Sequence, residues 1–458
     1  MKIYDTLQRQ VVDFELRKEG EVSLYACGPT VYDHPHLGHA RQALTYDMAR
    51  RYFEWRGLKV HHVANVTDID DNIINRANRE GSTEPEIARV WKARYDEVMA
   101  SLGILQPHDR PHATQFVDQM IEFIETLVDN GSAYSTSNGV YLRVRSVPDY
   151  GALIHRTHDD LAESARARVE ADEAKEDPLD FALWKAAKPG EPTWPSPWGE
   201  GRPGWHIECA AMSLDILGDG FDLHGGGDDL VFPHHTNERA ESIAAGRDFA
   251  HYWMHNAMVN IGGEKMSKSL NNFTTVQDLL DEDPLNARAL RLLLLQTHYR
   301  KTLEINADVM AVAREGIRRF DAMLRKASTY ELDHDAPVDA DAVATFRRAM
   351  DHDFGSPEAV ATIFETVRKA NAALDANSTE AASLVTTVVH LTRALGLDVE
   401  LGDITNDEES VEIDALVAER AAAKESKDWA RADGIRDELS SRGITVEDTA
   451  TGPIWYRN

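Results

Sequence analysis

The sequence predicts an α/β protein in which a parallel sheet is split by an insertion and followed by helices. Three observations carry that reading. Residues 22–26 read as a short buried strand, residues 36–55 as a helix and residues 60–66 as a second strand, the order of a parallel βαβ unit. That order resumes at residues 221–224 and continues into a helix over 233–245, so two halves of one sheet flank the residues between them. From Pro284 to about Leu395 the pattern is almost wholly helical.

Each element has its own signal. In residues 36–55 the apolar Leu44, Met48, Tyr52 and Trp55 recur on one side, and Gly57 stops the run. Ile69, Ile73 and Ile74 mark a helix after the second strand, and residues 84–102 and 114–130 read as two more. Residues 139–144 alternate like a hairpin strand, which interrupts the α/β order. The tract 159–177 is acidic and Ala-rich with no clear apolar face, the pattern of a solvated surface, and Pro, Gly and Trp crowd residues 189–203. The glycine run 225–227 follows the strand at 221–224. Residues 403–412 form an acidic linker to a small charged module with one more helix, over 429–442.

Composition narrows the function classes. A chain of 458 residues has room for about three domains. Its 42% hydrophobic content, 9 Trp and 13 Phe exclude a disordered chain. With 49 Lys+Arg against 78 Asp+Glu the net charge is −29, which opposes nonspecific binding to a phosphate backbone but leaves room for a local basic groove. No apolar run approaches the roughly 18 residues of a membrane span, and the first residues lack an apolar leader, so the cytoplasm is the expected compartment. Two cysteines, Cys27 and Cys209, are too few for a disulfide scaffold.

Two motifs point to phosphate chemistry. Gly28-Pro29-Thr30-Val31-Tyr32-Asp33-His34-Pro35-His36-Leu37-Gly38-His39 lies between a strand and a helix, where amides and imidazoles at the positive end of the helix dipole suit phosphate. Gly38 lets a nucleotide approach the backbone, and His36 and His39, three apart, share one helix face. Read alone, such histidines are more often surface or helix-start residues. Lys265-Met266-Ser267-Lys268-Ser269 follows Gly262-Gly263 and a strand-like stretch over 257–261; its lysines on a glycine-hinged loop suit a triphosphate, although a bland surface loop also carries Lys and Ser.

Together the two strings resemble the HIGH and KMSKS motifs of class I aminoacyl-tRNA synthetases, with Leu37 in place of the second HIGH residue. That resemblance implies a Rossmann-type catalytic domain in which both motifs grip ATP. A third group concerns the amino acid. Cys27, Cys209, His234 and Glu238 make an acceptable tetrahedral zinc set, His234 and Glu238 standing at i and i+4, while their spacing alone equally fits two buried structural cysteines.

The strings Tyr25-Ala26-Cys27-Gly28-Pro29-Thr30-Val31-Tyr32, Gly204-Trp205-His206-Ile207-Glu208-Cys209 and Phe232-Pro233-His234-His235-Thr236-Asn237-Glu238 resemble the cysteinyl-tRNA synthetase family along essentially the whole chain. The resemblance implies one Zn2+ per chain on Cys27, Cys209, His234 and Glu238. It implies ATP contacts from His36, Gly38, His39, Lys265 and Lys268, with Mg2+ accompanying ATP, and contacts to cysteine or its adenylate from Thr30, Thr67, Trp205, His224 and Asp229. It divides the chain into a Rossmann-type catalytic domain (1–109 and 201–250), a connective insertion (110–200), a KMSKS and stem-contact region (251–300), a helical tRNA-binding bundle (301–402) and an anticodon-binding module (403–458). The expected partners are tRNA(Cys), L-cysteine and ATP, with no membrane, for a monomeric enzyme. Trp455, Arg457 and Arg436 are stacking or phosphate-contacting candidates near the C-terminus.

Two rivals are weighed on the same residues. A related ligase that joins activated cysteine to an aminosugar shares the motifs and zinc set, but Asn237-Glu238 and the C-terminal strings Ala432-Asp433-Gly434-Ile435-Arg436 and Glu447-Asp448-Thr449 resemble the synthetase. A non-catalytic RNA-binding relative is opposed by the intact residues of both ATP motifs.

Overall fold

The computed structural model describes residues 1–166, 175–261, 264–265, 275–397, 408–449 and 452–457. They form two compact units, Met1–Asp283 with Tyr299–Ile305, and Pro284–His298 with Asn306–Asn458.

The first unit opens with an antiparallel hairpin, β1 (Lys2–Asp5) and β2 (Gln10–Asp13). Next come β3 (Glu21–Ala26), α1 (Leu37–Trp55) and β4 (Lys59–Ala64), and β3 and β4 pair in parallel from Glu21↔Lys59 to Ala26↔Ala64. After α2 (Asp71–Glu80) and α3 (Glu84–Ser101) the chain runs beside β4, with Ala64 N–H donating to the Asp109 carbonyl at 3.1 Å and Val66 N–H to that of Pro111 at 2.8 Å. Helix α4 (Val117–Asp129) leads into an antiparallel sheet of β5 (Ala133–Thr136), β6 (Gly139–Leu142), β7 (Phe181–Ala186) and β8 (Gly201–Pro203), with α5 (His158–Arg166) between β6 and β7. Then follow α6 (Trp205–Leu217), β9 (Leu223–Gly227), α7 (Thr236–Ala244) and β10 (Tyr252–Asn256). The unit closes with β11 (Val259–Ile261), β12 (Glu264–Lys265), α8 (Val276–Glu282) and, after a return from the second unit, β13 (Leu303–Ile305), which pairs in parallel with β11.

The central sheet has the order β10-β9-β3-β4, all parallel. The chain winds outward from β3 to β4 on one side and from β9 to β10 on the other. The strand order therefore reverses between β3 and β9, and the crevice beyond their carboxyl ends is where such sheets hold ligands. Cys27 follows β3 directly and so stands at that crevice, while His224, near the start of β9, lies in register with Tyr25 beneath it.

Four local readings change. Helix α6 had no signal in the sequence because it is buried on nearly every side, including Ile207, Glu208, Cys209, Ala210, Met212 and Ser213. The glycines 225–227 lie inside β9, not after it: a Cβ at Gly225 would sit 2.2 Å from the Tyr46 ring, whose hydroxyl lies 2.9 Å from the Gly226 carbonyl. The helix expected from Pro233 begins as a wide turn, Val231–His235, because Phe232 is extended (φ −141°, ψ 130°). The acidic tract opens as α5, capped reciprocally by Thr157 and Asp160 and burying Leu161 and Ala162, so it has a short apolar face after all. Its residues 167–174 lie outside the described ones.

The second unit is helical: α9 (Asn286–Gln296), α10 (Ala307–Ser328), α11 (Ala340–Met350), α12 (Ser356–Asp375) and α13 (Ala381–Arg393). Its C-terminal part packs α14 (Glu408–Glu425) and α15 (Trp429–Ser441) on a hairpin, β14 (Ile444–Thr449) and β15 (Gly452–Arg457). The end of the acidic linker is thus helix, since Ile413 and Val417 bury against Ile435 and Leu439. Trp455 packs on this same cluster, and Arg436 pairs with Asp433 at 2.9 Å and Asp437 at 3.2 Å. The Arg457 side chain lies outside the described residues. Among the described residues no helix is long and apolar enough to cross a membrane.

Candidate metal centre and phosphate-binding turn

Cys27, Cys209, His234 and Glu238 converge from the end of β3, from α6, from the wide turn and from α7, with their ligating atoms all within 4.8 Å of one another. All four are buried. The Cys27 and Cys209 sulfurs are 3.8 Å apart across 182 residues of chain, and His234 Nε2 lies 3.0 Å from Glu238 Oε1. Two zinc–sulfur bonds of about 2.3 Å meeting at a tetrahedral angle set their sulfurs about 3.8 Å apart, so the pair has the separation such a cation requires. Burial raises the Glu238 carboxyl and pushes the Cys27 thiol well up. The Cys27 thiol pulls Cys209 down, but burial together with the neighbouring Glu238 and Glu208 carboxylates pushes the other way and leaves Cys209 at about 11. Left to themselves the two thiols keep their protons; a divalent cation is the partner that suits them as thiolates. His224 Nδ1, beside the four, is buried with no hydrogen-bond partner among the described residues, the second sign of a site built around something more than its own side chains. The residues present fit zinc.

A ring of further groups holds these four in place. His206 Nδ1 lies 2.9 Å from His234 Nδ1, and the Trp205 indole stacks on the His234 imidazole. His224 Nε2 is 3.1 Å from Glu238 Oε2 and 3.7 Å from the Cys27 sulfur. His235 also joins the cluster, its Nε2 3.3 Å from that sulfur, and a second set of four is Cys27, His224, His235 and Glu238. Gln42 donates to the Cys27 carbonyl and so ties the end of β3 to α1.

The other motif forms the start of α1. His36 is the N-cap: its Nδ1 accepts from the His39 N–H at 3.3 Å, while His39 Nδ1 accepts from the His36 N–H at 3.1 Å. This reciprocal box stacks the two rings with centroids 3.7 Å apart. Because each Nδ1 is an acceptor, each neutral ring carries its proton on Nε2, where it can donate to an anion. These residues border a cavity of about 520 Å³ whose wall also includes Gly28, Thr30, Gly38, Trp205 and Asp229. Its size is that of a pocket for a nucleotide-like ligand. Gly28 allows the close approach at its base: a Cβ there would lie 1.6 Å from the Asn65 carbonyl oxygen.

A family model for class I tRNA synthetase (C) catalytic domains matches residues 13–315, a DALR domain matches 345–400 and a cysteinyl-tRNA ligase anticodon-binding domain matches 406–455. The Cysteine--tRNA ligase of Halorhodospira halophila is 47% identical, over 100% of this chain and 99% of that protein. The chain belongs to the cysteinyl-tRNA synthetase family. The Cysteine--tRNA ligase of Alkalilimnicola ehrlichii is 46% identical over 100% of both chains. Solved structures agree on the fold: methionyl-tRNA synthetase of Mycobacterium tuberculosis in complex with methionyl-adenylate (TM-score 0.59, 14% identity, 87% of this chain and 94% of that one), and a leucyl enzyme of Agrobacterium radiobacter in a ternary complex (TM-score 0.63, 12% identity, 86% of each). As a member of this family the chain is a class I aminoacyl-tRNA synthetase, a ligase.

Of the residues singled out in the sequence, the structure brings Cys27, Cys209, His234, Glu238 and His224 into one cluster, and His36, Gly38, His39, Thr30, Trp205 and Asp229 around one cavity. Thr67 does not line that cavity. It is buried, bridges to Thr30 through the backbone, and its hydroxyl donates to Glu208 Oε2 at 3.1 Å. Lys268 and the Lys265 side chain lie outside the described residues. The sequence reading missed His206, His235, His255, Gln42 and Glu208 as site residues. His206, Glu208 and His235 stood inside the family strings, Glu208 and His235 directly beside Cys209 and His234, and a search for further donors near each ligand would have found them.

Proposed function

We propose that this chain activates L-cysteine with ATP to cysteinyl adenylate and transfers the cysteinyl group to tRNA(Cys), with a zinc ion on Cys27, Cys209, His234 and Glu238 selecting the substrate. The convergence of those four buried donors, with the sulfurs 3.8 Å apart, carries the reading. Bound there, zinc supplies a soft contact that takes sulfur as thiolate and holds a serine hydroxyl far more weakly, a discrimination an apolar pocket cannot match for near-isosteres.

The protein's own residues then bind and orient. Thr30, Trp205 and Asp229 flank the amino acid, His224 supports Glu238, and Thr67 acts through its backbone bridge to Thr30. Gly38 leaves room for the nucleotide, while His36 and His39 donate Nε2–H to its phosphates. Lys265 and Lys268 neutralise the triphosphate together with Mg2+. The cysteine carboxylate oxygen bonds to the α-phosphorus as the bond to pyrophosphate breaks. A ribose hydroxyl of the tRNA then attacks the carbonyl, and AMP leaves. Positioning and charge stabilisation suffice, and no protein nucleophile takes part.

Cysteine-dependent exchange of pyrophosphate into ATP tests the first step, and charging of a tRNA mixture tests the second. Cys209→Ser is expected to lose its zinc and most of its cysteine affinity. Normal metal content with normal cysteine affinity in that variant would overturn the zinc reading. Transfer to an aminosugar in place of tRNA would overturn the acceptor.

A further inference from the structure

We propose that Thr6 and His255 are positioning residues for the metal centre, acting through His235 to fix a hydrogen bond onto the Cys27 sulfur; this rests on the zinc reading above. The observation is an unbroken row of contacts, half-buried at Thr6 and buried from His255 inward. Thr6 Oγ1 lies 2.7 Å from His255 Nδ1, His255 Nε2 lies 2.7 Å from His235 Nδ1, and His235 Nε2 lies 3.3 Å from the Cys27 sulfur. His235 is 0% and His255 4% exposed. Thr6 is held at the end of the row because its N–H donates to the Trp253 carbonyl at 2.9 Å, which ties the segment after β1 to β10.

The direction of the row follows from donor and acceptor counting. A neutral imidazole has one N–H and one bare nitrogen. A thiolate accepts only, so His235 must carry its proton on Nε2 and leave Nδ1 bare. His255 must then donate from Nε2, which leaves its own Nδ1 as an acceptor. The Thr6 hydroxyl is the donor that nitrogen requires. Without that hydroxyl the row can run backwards, with His255 protonated on Nδ1 and a bare His235 Nε2 facing a negatively charged sulfur. Thr6, 249 residues from His255 in sequence, thus selects which tautomer meets the metal ligand.

The test compares Thr6→Val, which keeps the shape and removes the hydroxyl, with Thr6→Ser, which keeps it. His255→Phe and His255→Gln form a second pair, Gln retaining a donor near the Nε2 position. Zinc affinity is read by competition with a chromophoric chelator, and the sulfur directly from the thiolate-to-metal charge-transfer band of the Co2+-loaded full-length protein. Thr6→Val and His255→Phe are expected to bind zinc about 10-fold more weakly and to shift the band to longer wavelength, since a sulfur without a donated proton gives up charge more easily. Thr6→Ser and His255→Gln are expected to restore both. Wild-type affinity and band position in Thr6→Val and His255→Phe, with wild-type protein binding one zinc, would overturn the relay alone. Wild-type protein that binds no zinc would overturn the zinc reading and the relay with it.

Discussion

The imidazole of His234 lies flat against the indole of Trp205, with ring centroids 4.0 Å apart and planes 12° from parallel. The contact joins the two halves of the site, because Trp205 borders the nucleotide-sized cavity while His234 belongs to the buried donor cluster. A ring held by stacking on one face and by His206 at Nδ1 has little freedom to turn its Nε2 away from Glu238. Trp205→Ala is therefore expected to weaken zinc binding about tenfold and to raise the KM for cysteine more than that for ATP. Trp205→Phe, which keeps a stacking surface, should lose less. Equal effects on both KM values with unchanged metal affinity would show the stack to be incidental.

Gly28 offers a sharper test of the turn. Its N–H donates to Asn65 Oδ1 at 2.7 Å, and an added Cβ would overlap the Asn65 carbonyl oxygen at 1.6 Å. Backbone cannot yield as a side chain can, so Gly28→Ala should cost about 3 kcal/mol of stability and displace the neighbouring Cys27. Urea unfolding and zinc content measure the two effects. A variant with wild-type stability and full metal content would mean that the two segments do not approach this closely in solution.

The parallel sheet was legible because strand, helix and strand alternate with distinct periodicity, and β3, α1 and β4 stand within a few residues of where the hydrophobic pattern puts them. Helix α6 was not. Its buried face extends all round, so there is no apolar-to-polar contrast for periodicity to show, although it carries Cys209. The same physics limits the site. Cys27 and Cys209 belong together only through the fold, and their spacing fits two inert core cysteines equally well; the family resemblance, not the spacing, singled out the four donors. The outer ring was less legible still. Thr6 and His255 meet because β1 lies beside β10, a long-range packing that local sequence does not encode.

Lys268 separates the two chemistries assigned to the chain. If it neutralises the triphosphate, Lys268→Ala should slow adenylate formation by about a hundredfold, the scale for removing one group that stabilises developing charge. Zinc content and cysteine affinity should stay as they are, because no metal donor is altered. Pre-steady-state adenylate formation checks the first part and metal analysis the second. Unchanged kinetics would remove Lys268 from the ATP site.

His62 on β4 predicts how acid affects the fold. It is 7% exposed, and neither ring nitrogen has a hydrogen-bond partner among the described residues. Burial pushes its pKa down to about 3, with Arg50, His108 and His61 also opposing the charged form and Asp47 favouring it. In the unfolded chain an ordinary histidine titrates near 6.5. Between those two values the unfolded state holds the extra proton, so stability rises with pH across this window and is lost as pH falls from about 6.5 towards 3. The loss for one such group is about 2 kcal/mol between pH 7 and pH 5. His62→Leu leaves no polar atom stranded and has nothing to protonate. In metal-free protein, where acid release of zinc plays no part, its urea-unfolding free energy should fall by about 2 kcal/mol less over that interval than the wild type's. Parallel pH profiles for the two proteins would show that water reaches the His62 ring and that its charge is tolerated in place.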